Sequence, residues 1–113
     1  MNTKDFGDFG EEAVANYLTN VGYRILNRNW KTRWCEIDIV AQKEKTVYFV
    51  EVKFRKSTNW GDGLEYITPK KQQQMRFAAE MWMQTNRWRG DAQLSAASVD
   101  SLGEIEFITD INA

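Results

Sequence analysis

The sequence contains no histidine, one cysteine and one proline, and each of these shortages narrows the chemistry that is open to it. Without histidine, Ser-His-Asp catalysis, Cys-His catalysis and histidine-ligated metal sites are all excluded. Cys35 alone rules out an internal disulfide. The longest unbroken apolar run is four residues, at 47–50, so no membrane-spanning helix is expected. The first residues also lack the apolar core of a signal peptide, which favours a cytoplasmic protein.

The chain of 113 residues is long enough for one compact domain, and we predict a single domain over residues 1–113. Its net charge is −1, but the charge is unevenly distributed. Residues 24–56 hold nine basic and four acidic side chains, a local net of +5, whereas the acids after Arg89 have no base among them. This pattern fits a surface that binds a polyanion, and an ordinary mixed surface is the alternative.

Hydrophobic periodicity predicts an α/β domain in the order α-β-β-β-α-β-β, with about five strands in one mixed sheet flanked by two helices. Thr68 and Pro69 form a helix-start signal, because a capping residue precedes a proline at the first helical position. A polar loop over 55–68 precedes this second helix. The helices are predicted at 6–21 and from 69 to about 86, and the strands at 23–30, 35–42, 46–54, 94–100 and 104–108.

The same periodicity predicts which faces of these elements are buried. In the strand at 35–42, alternation places Ile37 and Ile39 on one face and Asp38 on the other. The expected buried face of the first helix is Ala13, Val14, Tyr17, Leu18 and Val21, and that of the second helix is Met75, Ala78, Ala79 and Trp82.

The third predicted strand contains Glu51 and Lys53, two charged residues on one face of an otherwise apolar segment. Buried charges are unfavourable unless they are paired or bound to a metal. A hairpin can bring Asp38 beside Glu51, and two adjacent carboxylates favour a cation between them. Oxygen ligands select a hard cation, so we predict Mg²⁺ or Mn²⁺, with Lys53 orienting water or stabilising charge on a phosphate. The alternative is a solvated sheet face with a cross-strand Glu–Lys pair.

Other residues have a functional and a structural interpretation each. Glu11 or Glu12 can add a carboxylate from the first helix, or only compensate the helix dipole. Glu36 is either a further ligand or the exposed end of its strand. Trp30, Trp34 and Trp60 can stack on unpaired bases, or cover the edge of the core. Cys35 is interpreted as a small packing residue.

These residues resemble the PD-(D/E)xK nuclease motif, with Asp38 followed thirteen residues later by Glu51-Val52-Lys53. More closely, the chain resembles the YraN family of bacterial proteins. The resemblance extends over some 70 residues and includes a lysine and an alanine of the second helix. It is carried by Gly10-Glu11-x-Ala13, Tyr17-Leu18, Gly22-Tyr23-x-Ile25-Leu26-x-Arg28-Asn29, Glu36-Ile37-Asp38-Ile39 and Phe49-Val50-Glu51-Val52-Lys53-x-Arg55, followed by Lys71 and Ala79.

The resemblance implies a restriction-endonuclease-like fold, similar to that of archaeal Holliday junction resolvases. It implies that Asp38 and Glu51 hold a divalent metal, that Lys53 assists the water, and that Glu11 completes the site. The chain departs from the family at Cys35, where glycine is usual. It also departs at 93–95, where Gln-Leu-Ser replaces a typical Arg-Phe-Asp run. Neither departure touches the Asp-Glu-Lys core.

The expected function is therefore metal-dependent hydrolysis of phosphodiester bonds in DNA, on branched or single-stranded structures. A homodimer is consistent with a two-fold symmetric substrate. The alternatives are a non-catalytic nucleic-acid-binding adaptor that keeps the nuclease fold and a purely structural partner protein. The residues expected to contact nucleic acid are Arg28, Arg33, Arg55, Lys56, Trp60, Lys70 and Lys71.

Overall fold

A computed structural model describes residues 3–55 and 67–112, with side chains from residue 7 onward in the first of these segments. The elements follow the predicted order α-β-β-β-α-β-β, and the prediction of a mixed five-stranded sheet with two helices is confirmed. Neighbouring strands are antiparallel except for β3 and β4, which are parallel. The elements are α1 (Thr3–Asn20), β1 (Arg24–Lys31), β2 (Glu36–Lys43), β3 (Thr46–Phe54), α2 (Pro69–Asn86), β4 (Asp91–Val99) and β5 (Ile105–Ile108), and the sheet order is β1-β2-β3-β4-β5.

Helix α1 packs against one face of the sheet through Val14 and Leu18, which are fully buried as predicted. Gly10 lets the helix approach closely, because a Cβ built there would lie 3.1 Å from a methyl group of Val99. The prediction that Val21 is buried is wrong, since its side chain is 43% exposed. The helix ends one residue earlier, and Gly22 then turns the chain with a positive φ of 100°.

Helix α2 packs against the opposite face, and its predicted buried residues are confirmed. The Thr68 side chain caps the helix by accepting a hydrogen bond from the Lys71 N–H at 3.1 Å. Trp82 anchors the second half of the helix, since its ring packs edge-to-face on Phe49 and its Nε1–H donates to Asn27 Oδ1 at 2.8 Å. The helix is thereby fixed over the central strands. Among the described residues, no helix combines the length and apolar character needed to cross a membrane.

The predicted alternation along β2 is wrong at one point. Ile39 packs in the cluster under α1, whereas Ile37 packs in the cluster under α2. These two residues therefore pack on opposite faces of the sheet, although residues two apart in a strand normally share a face. Asp38, the residue between them, is half-buried.

Candidate active site

The acidic site, formed by the carboxylates of Asp38, Glu51 and Glu11, lies where β2 and β3 stop pairing with each other. Their register runs from Lys43↔Thr46 to Ile39↔Val50, and its continuation would set Ile37 opposite Val52. Instead, the Val52 N–H donates to the Asp38 carboxylate at 2.8 Å. A side chain therefore takes the place of a backbone acceptor, which fixes the Asp38 carboxylate between the two strands.

Burial raises the pKa of Asp38 from 3.8 to about 7, and the negative charge of Glu51 is the second cause. Glu11 and Glu36 raise it further, while the hydrogen bond from the Val52 N–H opposes the change. Asp38 and Glu51 are therefore close enough to repel each other, as the sequence predicted for this hairpin. A carboxyl group whose pKa is raised in this way is unfavourable as a lone buried anion and is typical of functional sites.

Glu11 reaches this site from α1, and its Oε2 is buried without a hydrogen-bond partner among the described residues. The neighbouring Glu12 points elsewhere, since its carboxylate pairs with Arg28 at 3.1 Å. Of the two glutamates considered from the sequence, Glu11 is thus the one that acts on Asp38. Its unpartnered oxygen and the repulsion at Asp38 fit a hard divalent cation, which prefers carboxylate oxygen.

The three carboxylates do not form a closed cage. Over residues 3–55 and 67–112, no three Asp, Glu or Cys side chains are grouped closely enough to hold a metal ion together. The set of Asp38, Glu51 and Glu11 as metal ligands therefore stays a prediction. Its support is electrostatic, from the pKa of Asp38, and comes from the unsatisfied oxygen of Glu11.

Glu51 has a partner that sequence reasoning did not find. Its Oε1 lies 3.0 Å from the Lys71 Nζ, and both side chains are largely shielded from solvent. Lys71 was expected to contact nucleic acid, and in this structure its ammonium neutralises Glu51 instead. No sequence spacing indicates this pair, because it joins a strand to the first turn of a helix twenty residues later. Lys53 is exposed, two residues after Glu51 on β3.

A cavity of about 520 Å³ opens beside Glu51, between the end of the β1–β2 connection and α2. Cavities of a few hundred cubic ångströms are the usual size of small-molecule and substrate sites. Its wall is formed by Trp34, Cys35, Glu36, Glu51, Lys70, Lys71, Gln73, Gln74, Met75 and Phe77. The site therefore has an open side that carries both acidic and basic groups.

The residues expected to contact nucleic acid are dispersed. Arg28 is exposed and paired with Glu12, and the Arg33 guanidinium lies 5.3 Å from the centre of the Trp34 ring. Lys70 is exposed on the cavity wall. Lys56 and Trp60 lie outside the described residues.

Arg55 is 4% exposed, so the expectation that it binds phosphate is not met in this structure. Its guanidinium lies 4.0 Å from the Asp100 carboxylate, which is also buried. The other Asp100 oxygen accepts hydrogen bonds from the N–H groups of Leu102 and Glu104, and the Arg55 N–H donates to the Val99 carbonyl. Arg55 thus ties the end of β3, the strand that carries Glu51 and Lys53, to the turn after β4.

The fold and the site together define an α/β protein with an acidic site at the point where two central strands part. Residues 10–108 match the model of a family described as "Uncharacterised protein family UPF0102". The chain belongs to this family, which is the YraN family that its sequence resembles.

Individual relatives agree with this assignment, and each carries the name UPF0102 protein. One from Bifidobacterium longum is 46% identical over 90 residues, covering 79% of this chain and 73% of the relative. One from Syntrophomonas wolfei is 42% identical over 82 residues, covering 73% and 71%. One from Mycobacterium tuberculosis is 36% identical over 107 residues, covering 91% and 79%.

Proposed function

We propose that this protein is a nuclease of the cytoplasm that hydrolyses phosphodiester bonds in DNA with the help of Mg²⁺ or Mn²⁺. The observation that carries the proposal is the Asp38 carboxylate, held beside Glu51 where β2 and β3 part, with its pKa raised to about 7. Perturbed acids of this kind concentrate at functional sites. The resemblance of the Asp38, Glu51 and Lys53 positions to the nuclease motif supports the same reaction.

In this proposal Asp38 and Glu51, with Glu11 from α1, would hold the cation. When bound, a hard divalent cation stabilises negative charge on a phosphate by Lewis-acid action. Lys53 would orient the attacking water or stabilise charge that develops on the phosphate, because it is two residues from Glu51 in β3 and alternation puts both side chains on one face of the strand.

Lys70 and Lys71 would hold the nucleic-acid backbone from the first turn of α2. Lysine binds phosphate as a point charge, so these contacts carry no base information. Lys71 would exchange its present partner, Glu51, for a phosphate when that carboxylate takes a cation. Sequence specificity is therefore low. The preferred substrates are branched or single-stranded DNA. A homodimer would act where the substrate has two-fold symmetry.

The test is cleavage of linear, nicked, single-stranded and four-way DNA in Mg²⁺, Mn²⁺ or EDTA. We expect cleavage that depends on the cation and is lost in Asp38→Ala and Lys53→Ala. Asp91→Asn is the matched control, because Asp91 is exposed at the start of β4 and remote from Asp38 and Glu51, the acidic pair. Cleavage that survives both alanine substitutions would come from a contaminant and would refute the assignment.

A non-catalytic nucleic-acid-binding adaptor is the second candidate, and the ion pair between Glu51 and Lys71 favours it. A carboxylate that is already neutralised at 3.0 Å has less need of a metal. The adaptor predicts DNA binding that persists in EDTA and weakens with salt, with no cleavage in Mn²⁺ by the wild type. Binding that is absent or insensitive to salt would instead favour a purely structural partner protein.

A further inference from the structure

Two large aromatic side chains lie open to solvent on the wall of one cavity. Trp34 is 68% exposed and Phe77 is 49% exposed, and both line the 520 Å³ cavity beside Glu51. Single exposed apolar residues are common on protein surfaces and need no explanation. Two aromatic rings from distant parts of the chain on one cavity wall are a different case, because together they offer flat apolar surfaces to a ligand.

The Trp34 ring is presented by an ordered turn. The Thr32 hydroxyl accepts hydrogen bonds from the N–H groups of Trp34 and Cys35, at 3.1 and 3.2 Å. The Thr32 N–H donates to the Cys35 carbonyl at 2.9 Å, which closes the turn. Phe77 is presented by the middle of helix α2. Both rings are therefore carried by backbone whose hydrogen bonds are formed, which lowers the entropic cost of binding.

The charges around these rings match a polyanion that carries flat bases. The Arg33 guanidinium lies 5.3 Å from the Trp34 ring centre, and Lys70 stands on the cavity wall beside Lys71, whose ammonium is paired with Glu51. Gln73 and Gln74 add amide donors and acceptors. The exposed acid of this wall, Glu36, is partly offset by the Lys31 ammonium at 3.9 Å. Cations for a phosphate and rings for a base thus occur together.

We propose that Trp34 and Phe77 form a stacking subsite for an unpaired base, so that the chain selects single-stranded nucleic acid. A base inside a duplex has both faces covered by its neighbours, whereas a splayed base can stack on an aromatic ring. This inference rests on the proposed nuclease function for its purpose, because the subsite shares its cavity with Glu51. A base held there sets the adjoining phosphodiester beside the acidic pair.

The test measures binding in EDTA, so that it does not depend on cleavage. A fluorescein-labelled thymidine 20-mer and a 20-bp duplex are titrated with wild-type protein, Trp34→Leu, Trp34→Phe and Phe77→Leu. Each leucine variant keeps an apolar side chain but removes a ring, and we expect about a tenfold weaker affinity for the single strand. Affinity for the duplex should change less than about twofold. Trp34→Phe keeps a ring and should retain most of the affinity. Leu102→Ala is the control, because Leu102 is 76% exposed and does not line this cavity.

Three results would overturn the subsite: no loss in the leucine variants, equal losses on the single strand and the duplex, or failure of Trp34→Phe to retain affinity. A uridine 20-mer distinguishes DNA from RNA as the source of the unpaired base. If the leucine variants lose as much affinity for it as for the thymidine 20-mer, the subsite also accepts RNA; if they lose none, it is restricted to DNA. The subsite and the nuclease proposal can fail separately. Ring-dependent binding without cleavage in Mn²⁺ leaves the subsite in place and refutes the nuclease, and ring-independent binding with cleavage does the reverse.

Discussion

Replacing Asp38 by asparagine should stabilise the metal-free protein at neutral and alkaline pH. Asparagine has nearly the same shape and keeps an oxygen that can accept the hydrogen bond from the Val52 N–H. It removes the charge that burial and Glu51 make unfavourable. The amide lies at a half-buried position, so water can satisfy its added donors.

The magnitude follows from the pKa of Asp38, which rises from 3.8 to about 7 on folding. Between these values the folded state binds more protons than the unfolded state, so the free energy of unfolding falls as pH rises and is level above about pH 7. One pKa unit corresponds to about 1.4 kcal/mol, which sets a ceiling of about 4 kcal/mol for the full penalty. Because the site is partly open to solvent, we expect a gain of about 2 kcal/mol in Asp38→Asn, or roughly 8 °C in Tm.

The assay is urea denaturation in EDTA, followed by circular dichroism, at several values from about pH 4 to about pH 8. The difference in stability between Asp38→Asn and the wild type should be close to zero at the lowest pH and reach its plateau above neutrality. Millimolar Mg²⁺ should narrow the difference, because a ligand of the folded state stabilises the wild type. Asp91→Asn should show no such pH dependence. A variant that is less stable than the wild type at about pH 8, or equally stabilised at every pH, would refute the reasoning.

Three further predictions concern the groups around the acidic pair. Lys71→Met should bind Mn²⁺ several-fold more tightly than the wild type in calorimetry, because Glu51 loses its competing cation; equal or weaker binding would contradict this. Glu51→Gln should lower the pKa of Asp38 towards, but not to, 3.8, since burial is its largest cause; carbon-detected NMR titration measures it, and an unchanged pKa would show that the carboxylates do not interact. Arg55→Met should lower the free energy of unfolding by about 3–5 kcal/mol, measured by urea denaturation, because it leaves Asp100 buried without its cation. A decrease below about 1 kcal/mol would show that solvent screens this pair.

Sequence periodicity predicted the architecture because each element carries a regular apolar pattern. Met75, Ala78, Ala79 and Trp82 recur at helical spacing and are all buried under one face of α2. The pattern failed at Ile37, which packs in the cluster under α2, whereas Ile39 packs in the cluster under α1. At this point β2 no longer pairs with β3, since that ladder ends at Ile39, whereas the pairing with β1 continues to Glu36. That irregularity comes from tertiary structure, so no local pattern reveals it.

The same distinction separates what could and could not be predicted of the site. Asp38 and Glu51 could be brought together on paper because one hairpin carries both. The partners Lys71 and Asp100 could not, because each reaches its pair from an element distant in sequence. Arg55 illustrates the limit of residue type as a guide, since this basic residue at the start of a polar loop is buried beside a buried carboxylate. A charged residue type predicts an exposed side chain only where the backbone places that side chain at the protein surface.

The parallel contact between β3 and β4 has a consequence for the order in which this chain folds. It joins strands whose first paired residues, Thr46 and Asp91, are 45 positions apart, whereas the β2–β3 hairpin turns within two residues. Local pairings close early and distant ones late, because long loops lose more entropy on closure. The carboxylates of Asp38 and Glu51 are therefore expected to meet in the first stage. The ammonium of Lys71 reaches Glu51 only when α2 docks, so the two carboxylates should meet before the cation that offsets one of them is in place.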